Sequence, residues 1–297
     1  MLDRITGMQI CLKVASLGSI SSAARALSVS PTLATKHIDA IERRIGVALF
    51  HRSTRRVSVT EAGRRYLSEV ESILLHLEEA DALASDHQVT VRGTLRVSVP
   101  TSFGLRVLAP ILPKFLEMHP DLSVDLDYSD RVVDLQADGW DMAIRVGRLE
   151  DSSLIARKIV ACRTLLCASP SYLARHGTPR TPADLRTLNC LGYALSERLG
   201  DRQWHFGAKG DIVQSIQGNL RANNGDALVL AAMAGIGITY APDFLVDREL
   251  ASGALVEIKL DQPTVEIHAV HAITLAGRRQ PAKVRTLIDF LVEHLAR

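Results

Sequence analysis

Residues 19–46 read SISSAARALSVSPTLATKHIDAIERRIG, and the fold of the first part of the chain turns on them. Ser30 is a good N-cap and Pro31 a good first helical residue, so a helix opens there, with Ala34, Ile38, Ile41 and Ile45 as its apolar stripe. Ahead of it, Ser19 or Ser21 can cap a short alanine-rich helix ending near Leu27, where small side chains permit close helix approach. Ser28-Val29-Ser30 is the turn between the two, which makes a helix-turn-helix. At the start of the second helix Thr32, Thr35, Lys36 and His37 are expected to point outward. Groups of this kind reach base edges and phosphates, and they also occur as ordinary solvent-facing residues.

Working outward, Met8, Cys11, Leu12 and Ala15 recur at helical spacing in an earlier helix that Gly18 stops. On the other side Gly46 ends the helix opened by Pro31, and Val57 and Val59 then alternate with Ser58 and Thr60 as in a short strand. Arg52, Arg55 and Arg56 cluster at the preceding bend and form a basic wing. The net charge of +2 hides an asymmetry. Residues 1–65 hold eleven Lys and Arg against four acids, a balance of +7, whereas the other 232 residues carry 24 against 29, a balance of −5. A basic head on a mildly acidic body is the footprint of phosphate binding by counterion release, and charge alone is equally compatible with a solvated basic face.

Five blocks in this order resemble the LysR-type transcriptional regulators: residues 19–27, residues 29–32, Ile41-Glu42-Arg43-Arg44-Ile45-Gly46, Leu49-Phe50-His51-Arg52 and Val59-Thr60-Glu61-Ala62-Gly63. The resemblance implies a winged helix-turn-helix in which Thr32, Thr35 and Lys36 read operator DNA. It also implies that the wing, Arg52, Ser53, Thr54 and Arg55, holds the backbone. Many members carry Ser-Arg where this chain has Thr35-Lys36, and lysine cannot form arginine's bidentate fork, which leaves the base preference there open.

From Thr60 to Ala84 nothing but Gly63, in the first turn, interrupts a helix. Tyr66, Val70, Ile73, Leu77, Ala80 and Ala84 are spaced 4, 3, 4, 3, 4, the period of about 3.5 that marks a coiled-coil seam. The seam predicts a homodimer, with a tetramer as a dimer of dimers a further step, and packing against the chain's own sensor domain is the alternative. The resemblance favours the dimer. Residues 85–88, Ser-Asp-His-Gln, read as a hinge.

Beyond the hinge, strand and helix alternate. Leu95, Val97 and Val99 mark a strand, a helix runs to about Met118, and residues 122–128 are a strand. Residues 131–138 read as a helix stopped by Gly139, and residues 141–146 as another strand. The pattern resumes over 162–266 and closes with a strand over 265–272 and a helix over 282–295. The fold class is therefore α/β with parallel sheets behind an all-α winged head. By resemblance the second part is a two-lobed effector domain of periplasmic-binding-protein type. The boundaries are 1–60 for the DNA-binding domain, 61–84 for the linker helix and 85–92 for the hinge. The effector domain is 93–297, with lobe one at 93–162 and 268–297, lobe two at 163–267, and crossings near Cys162 and His268.

Open parallel sheets bind ligands at the carboxyl ends of their strands, beside helix N-termini that favour anions. Applied here, that rule selects Pro100, Thr101 and Ser102; Ser129 and Asp130; Arg145, Val146 and Gly147; and Asn223, Asn224 and Gly225. Helix capping is the plain alternative for each of the Ser, Thr, Asn and Asp residues, and only their convergence indicates a pocket. A small carboxylate or other anionic metabolite is the expected effector.

No zinc-protease, P-loop, nucleophile-elbow or complete dinucleotide motif is present, so an enzyme is not expected, nor a cofactor. No metal site is expected either, since His268 and His271 lie three apart in an expected strand and point to opposite faces. A redox switch using Cys162 and Cys167 is an alternative, although Cys167 sits in an apolar strand that suits a structural thiol. A cytosolic solute-binding protein is a third class, opposed by the basic head. The four cysteines include no C-x-x-C pair, the first residues have no apolar core of a leader, and the longest apolar stretch, 227–238, is too short to cross a bilayer. These features predict a cytoplasmic protein with no membrane partner, whose partners are double-stranded operator DNA, a small effector and itself, with RNA polymerase an admissible contact.

Overall fold

The caps read from the sequence hold the first helices in place. Helix α1 (Arg4–Leu17) is closed by Gly18 at φ 62°, and α2 (Ile20–Ala26) is capped by Ser19. Helix α3 (Pro31–Ile45) is capped by the Ser30 hydroxyl, which accepts the Leu33 amide at 3.1 Å. Strands β1 (Phe50–Arg52) and β2 (Val57–Val59) pair antiparallel, and α4 (Glu61–Ala84) follows. The structure, a computed structural model, describes residues 2–52, 57–84, 91–147, 154–196, 199–200, 202–265, 269–276 and 280–296, and it leaves out the side chains of 52, 75, 76 and 78–84. The chain divides into two compact units, 1–93 and 94–297.

In the first unit Ile10, Cys11, Val14, Ala23, Ala24, Ala34, Ile38 and Leu49 form one buried core, and Leu67, Val70 and Leu74 of α4 join it. Residues of the blocks quoted above have local duties here. The Glu42 carboxylate accepts the amides of Leu49 and Phe50 at 2.7 and 3.2 Å, which fixes the approach to β1. The Thr60 hydroxyl donates to the Ala48 carbonyl at 2.8 Å and accepts the Gly63 amide at 2.9 Å, so it caps α4 and ties it to the strand pair. Gly63 is required by this closeness, since a Cβ there would lie 2.2 Å from the Leu49 carbonyl oxygen. Gly63→Ala is therefore expected to destabilise this unit by about 1–3 kcal/mol through overpacking, seen in calorimetry as a lowered melting temperature; an unchanged melt would contradict the packing.

The second unit has two lobes. Lobe one is a sheet of β3 (Gly93–Val99), β4 (Leu122–Tyr128), β5 (Met142–Val146), β6 (Leu154–Ala161) and β14 (Ala269–Leu275), in the order β4-β3-β5-β14-β6. A continuous helical run follows β3: α5 (Thr101–Phe103), a π-helical turn (Gly104–Leu108) and α6 (Ala109–Met118). Phe115 of α6 meets Phe290 of α10 (Ala282–Leu295) with ring centroids 5.1 Å apart. Lobe two is a sheet of β7 (Thr164–Ala168), β8 (Cys190–Tyr193), β11 (Arg221–Ala222), β12 (Ile238–Pro242) and β13 (Val256–Glu257), ordered β11-β8-β12-β7-β13. Its helices include α7 (Pro170–His176), α8 (Gly225–Met233) and α9 (Asp243–Ala251), and β9 (Gln203–Phe206) and β10 (Ile212–Ser215) form a separate ribbon. One face of the sheet buries Tyr172, Trp204, Phe206 and Tyr240, and the other Leu228, Val229, Leu245 and Val246.

Two expectations need correction. The sheets are mixed rather than parallel: β3 and β5 run parallel, but β14 is antiparallel to β5 and β6, and β7 is antiparallel to β12 and β13. The reason lies in the crossings. A strand that has just entered a lobe from the other starts at the interlobe side, where its parallel neighbours end. The segment over 131–138 is a series of turns and not a helix. The Asp134 carboxylate accepts the amides of Gln136 and Ala137 at 2.9 and 3.0 Å, and Asp138 accepts that of Asp134 at 3.1 Å. Such side-chain bonds offer the backbone an alternative to the helix. Residues 85–90 of the hinge and His268 at the second crossing lie outside the described residues, although Val265 belongs to lobe two and Ala269 to lobe one.

Candidate nucleic-acid interface and effector cleft

Helix α3 turns Ala34, Ile38 and Ile41 into the head, which leaves Thr32 and Lys36 exposed one turn apart near its start. The turn before it is tight: Ser28 takes φ 54°, and the Val29 amide donates to the Ala24 carbonyl at 2.9 Å. Thr35 is half-buried, and its hydroxyl donates back to the Pro31 carbonyl at 3.0 Å. His37 is a correction, since it is only 5% exposed and does not point outward. It lies three residues after Ala34 and four before Ile41, on the inward side of the helix, and its ring sits against Gly7 of α1. Arg52 belongs to β1, but its side chain, like all of Ser53, Thr54, Arg55 and Arg56, lies outside the described residues.

On α4, Val70 is only 1% exposed and packs into the head's core, with Tyr66 partly buried beside it. That removes Val70 from the expected seam. Ile73 and Leu77 remain 50% and 38% exposed on the neighbouring side of the helix. Ala80 and Ala84 are in α4, with side chains outside the described residues.

In the second unit the selected residues stand at or just after the carboxyl ends of β3, β4, β5 and β11. The Ser129 amide donates to the Val99 carbonyl at 2.9 Å, which joins the ends of β3 and β4 just before Pro100 and Thr101. Arg145 is half-buried, and its guanidinium donates to the carbonyls of Ile144 and Arg131, each at 3.0 Å. Burial lowers its pKa from the usual arginine value, and the charges of Asp130 and Asp127 oppose that shift. In lobe two, Tyr193 at the end of β8 has its phenol pushed up to about 12 by burial, with Asp130 adding to the effect. Asp130 thus acts on groups of both lobes. Gly147 takes φ 121° and donates to the Ala269 carbonyl at 3.1 Å, and Val146 pairs with Val270.

Three of the selected residues have structural duties. Asn224 caps α8 by accepting the Ala227 amide at 3.2 Å, as the capping alternative anticipates. Gly225 allows α8 to sit on α9, because a Cβ would lie 2.6 Å from Leu245. Ser102 is buried, and its hydroxyl donates to the Asp226 carboxylate at 2.5 Å. Asn223 is exposed. Sequence reasoning missed Arg106, Asp226, Glu249 and Tyr193. Two signals were present: Arg106 follows Ser102 by one helical turn, and Asp226 opens α8 directly after Gly225.

Residues 5–64 match the family model described as the bacterial regulatory helix-turn-helix protein, lysR family, and residues 89–296 match the LysR substrate binding domain. The chain is a LysR-type transcriptional regulator. Similar proteins include an HTH-type transcriptional regulator of Haemophilus influenzae, 36% identical over 274 residues that cover 91% of this chain and 94% of that one. The regulator CrgA of Neisseria meningitidis is 32% identical over 290 residues, covering 97% and 96% of the two chains. Its solved structure superposes with a TM-score of 0.64 at 30% identity, covering 98% of this regulator and 99% of CrgA. The full-length structure of AphB, a virulence activator of Vibrio cholerae, gives 0.60 at 29% identity over 98% and 99%.

The regulator's helix-turn-helix head and two-lobed α/β effector-binding domain are those of its family. No helix is long and apolar enough to cross a membrane, and no group of three or more His, Cys, Asp and Glu is placed to hold a metal, among the described residues. All four cysteines are buried, and none is in a disulfide. Burial, with Glu257 adding to it, pushes the Cys167 thiol up to about 12, and burial pushes Cys190 to about 12 as well.

Proposed function

We propose that this regulator binds operator DNA sequence-specifically through Thr32, Thr35 and Lys36 of α3, steadied by the basic segment 52–56, and that a small anionic effector held between its lobes alters that binding. The observation that carries the reading is the orientation of α3, whose apolar stripe is buried while Thr32 and Lys36 stand in solvent at its first two turns. Hydrogen-bonding and cationic groups so placed can enter a major groove, and the +7 balance of residues 1–65 supplies attraction for phosphate. For the effector, the support is the position of Ser102, Ser129, Asp130 and Arg145 at the carboxyl ends of β3, β4 and β5, with Ser102 meeting Asp226 of lobe two and Asp130 acting on both Arg145 and Tyr193. Four buried cysteines outside any disulfide suit the cytoplasm, where the operator is, and the exposed pair Ile73 and Leu77 suits a homodimer. A redox reading through Cys162 and Cys167 has little in its favour, since both are buried and a thiol held at about 12 is hardly ever a thiolate.

Selection of bound fragments from a random duplex library with the full chain tests the DNA half. Enrichment of one motif is expected, and recovery of unenriched sequence would refute specific recognition. For the effector half, a panel of small carboxylates, phosphates and neutral metabolites is screened by thermal shift and then against the selected operator. A carboxylate or phosphate is expected to change operator affinity; a response confined to neutral compounds would overturn the anionic assignment.

A further inference from the structure

Between the lobes, two carboxylates of lobe two meet the donors of lobe one. Ser102 and Arg106 lie one turn apart on the helical run that follows β3, with Arg106 inside the π-helical turn. Both face Asp226, in the first turn of α8. The Ser102 hydroxyl donates to one carboxylate oxygen at 2.5 Å, and Arg106 Nε donates to the other at 2.5 Å. A second guanidinium nitrogen of Arg106 donates to Glu249 of α9 at 2.9 Å. These side chains are largely withdrawn from solvent, at 15% exposure for Arg106, 26% for Asp226 and 13% for Glu249. Beside them, Arg248 donates to the Arg106 carbonyl at 3.4 Å, and Phe103 meets Phe244 edge to face with centroids 5.3 Å apart.

A hydroxyl and a guanidinium converging on one point are the donors that a small anion needs. Here each of them is engaged by Asp226. Asp226 and Glu249 share the Arg106 guanidinium, and the second oxygen of Glu249 is buried without a hydrogen-bond partner among the described residues. A further anion cannot be added while both donors are engaged, because it would meet the Asp226 carboxylate at close range where water is scarce. It can only replace one that is present. Asp226 is the replaceable one, since it is the more exposed carboxylate and the one that holds both donors.

We propose that Ser102 and Arg106 form an anion seat which the chain's own Asp226 fills, and that a carboxylate ligand enters the cleft there by displacing Asp226 and so untying lobe two from lobe one. The proposal rests on reading the cleft as the effector site and adds the seat, its occupant and the competition. Linkage makes the coupling reciprocal: whatever weakens the Asp226 contact strengthens anion binding, and a bound anion loosens the lobes. The ligand's apparent affinity is then reduced by the small fraction of molecules in which Asp226 has let go.

Acetate is the probe, because it reproduces the end of an aspartate side chain. Carbon-13 acetate is titrated by NMR into the full-length wild type, Asp226→Ala and Asp226→Ala with Arg106→Gln. The interlobe distance is read in parallel by pulsed EPR from spin labels at Lys114→Cys in lobe one and Lys209→Cys in lobe two, both exposed positions, with labelled chains diluted in unlabelled ones. Saturable acetate binding is expected in Asp226→Ala, absent from the wild type and lost again when Arg106 is also replaced, with a longer or broader interlobe distance in Asp226→Ala. Wild type binding acetate as tightly as Asp226→Ala, no binding in Asp226→Ala, or an unaltered distance would each overturn the proposal. Should Asp226→Ala fold poorly, Asp226→Asn keeps the size without the charge and is expected to bind acetate more tightly than wild type; equal binding again overturns it. No DNA and no natural effector enter this experiment, so its failure leaves the operator and effector tests standing.

Discussion

Ile73→Glu is expected to split the regulator into monomers and to abolish operator binding while leaving the head folded. Ile73 and Leu77 are large apolar side chains left half-exposed, four residues apart on one side of α4. The adjoining side, Leu67, Val70 and Leu74, is already buried in the head's own core. A glutamate at 73 in a two-fold helical pair would lie close to its own image, so that two carboxylates would lose water without a counter-charge. An uncompensated buried charge costs about 3–5 kcal/mol, which raises a dimer dissociation constant by roughly two to three and a half orders of magnitude. Two heads tethered together engage two half-sites at once, and a monomer loses that advantage. Analytical ultracentrifugation and operator anisotropy measure both effects. An unchanged oligomer would remove Ile73 from the interface, and circular dichroism checks that the head is intact.

Lys36→Ala is expected to cost about 1–3 kcal/mol of operator affinity if the ammonium reads a base edge, and to lower the salt slope by about 1 if it sits on a phosphate. Either result is compatible with a fully folded head, because Lys36 is exposed and packs into no core. The neighbouring His37→Ala is expected to behave in the opposite way. At 5% exposure it leaves a void against Gly7 and lowers the melting temperature, without changing which base is preferred. Equal operator affinity for wild type and Lys36→Ala across a range of salt would refute the placement of α3 on DNA.

How far the candidate site could be read varies with how local its determinants are. The carboxyl-end rule places Ser102 at the cleft because a strand followed by a helix is visible in a few residues. The same rule cannot say that Ser102 and Arg106 meet side chains 124, 120 and 143 positions further along the chain. Asn224 and Gly225 were selected by that rule too, and their caps and close packing give them duties that need no ligand.

The head's helices, their ends at Ser19, Ser30, Gly18 and Gly46, and the family itself were determined by the sequence alone. Caps, left-handed glycines and a helical stripe all act within about four residues of each other, so one reading along the chain contains them. Only the tertiary structure decided that His37 faces inward, that Val70 completes the head's core, and that residues 131–138 form turns. The same holds for the antiparallel placement of β7 and β14, and for Asp226 sitting between Ser102 and Arg106. In each of these cases the outcome depends on which surface arrives opposite a residue, or on which of two hydrogen-bonding choices the surrounding packing favours. Periodicity along the chain carries no information about a surface contributed from a hundred residues away.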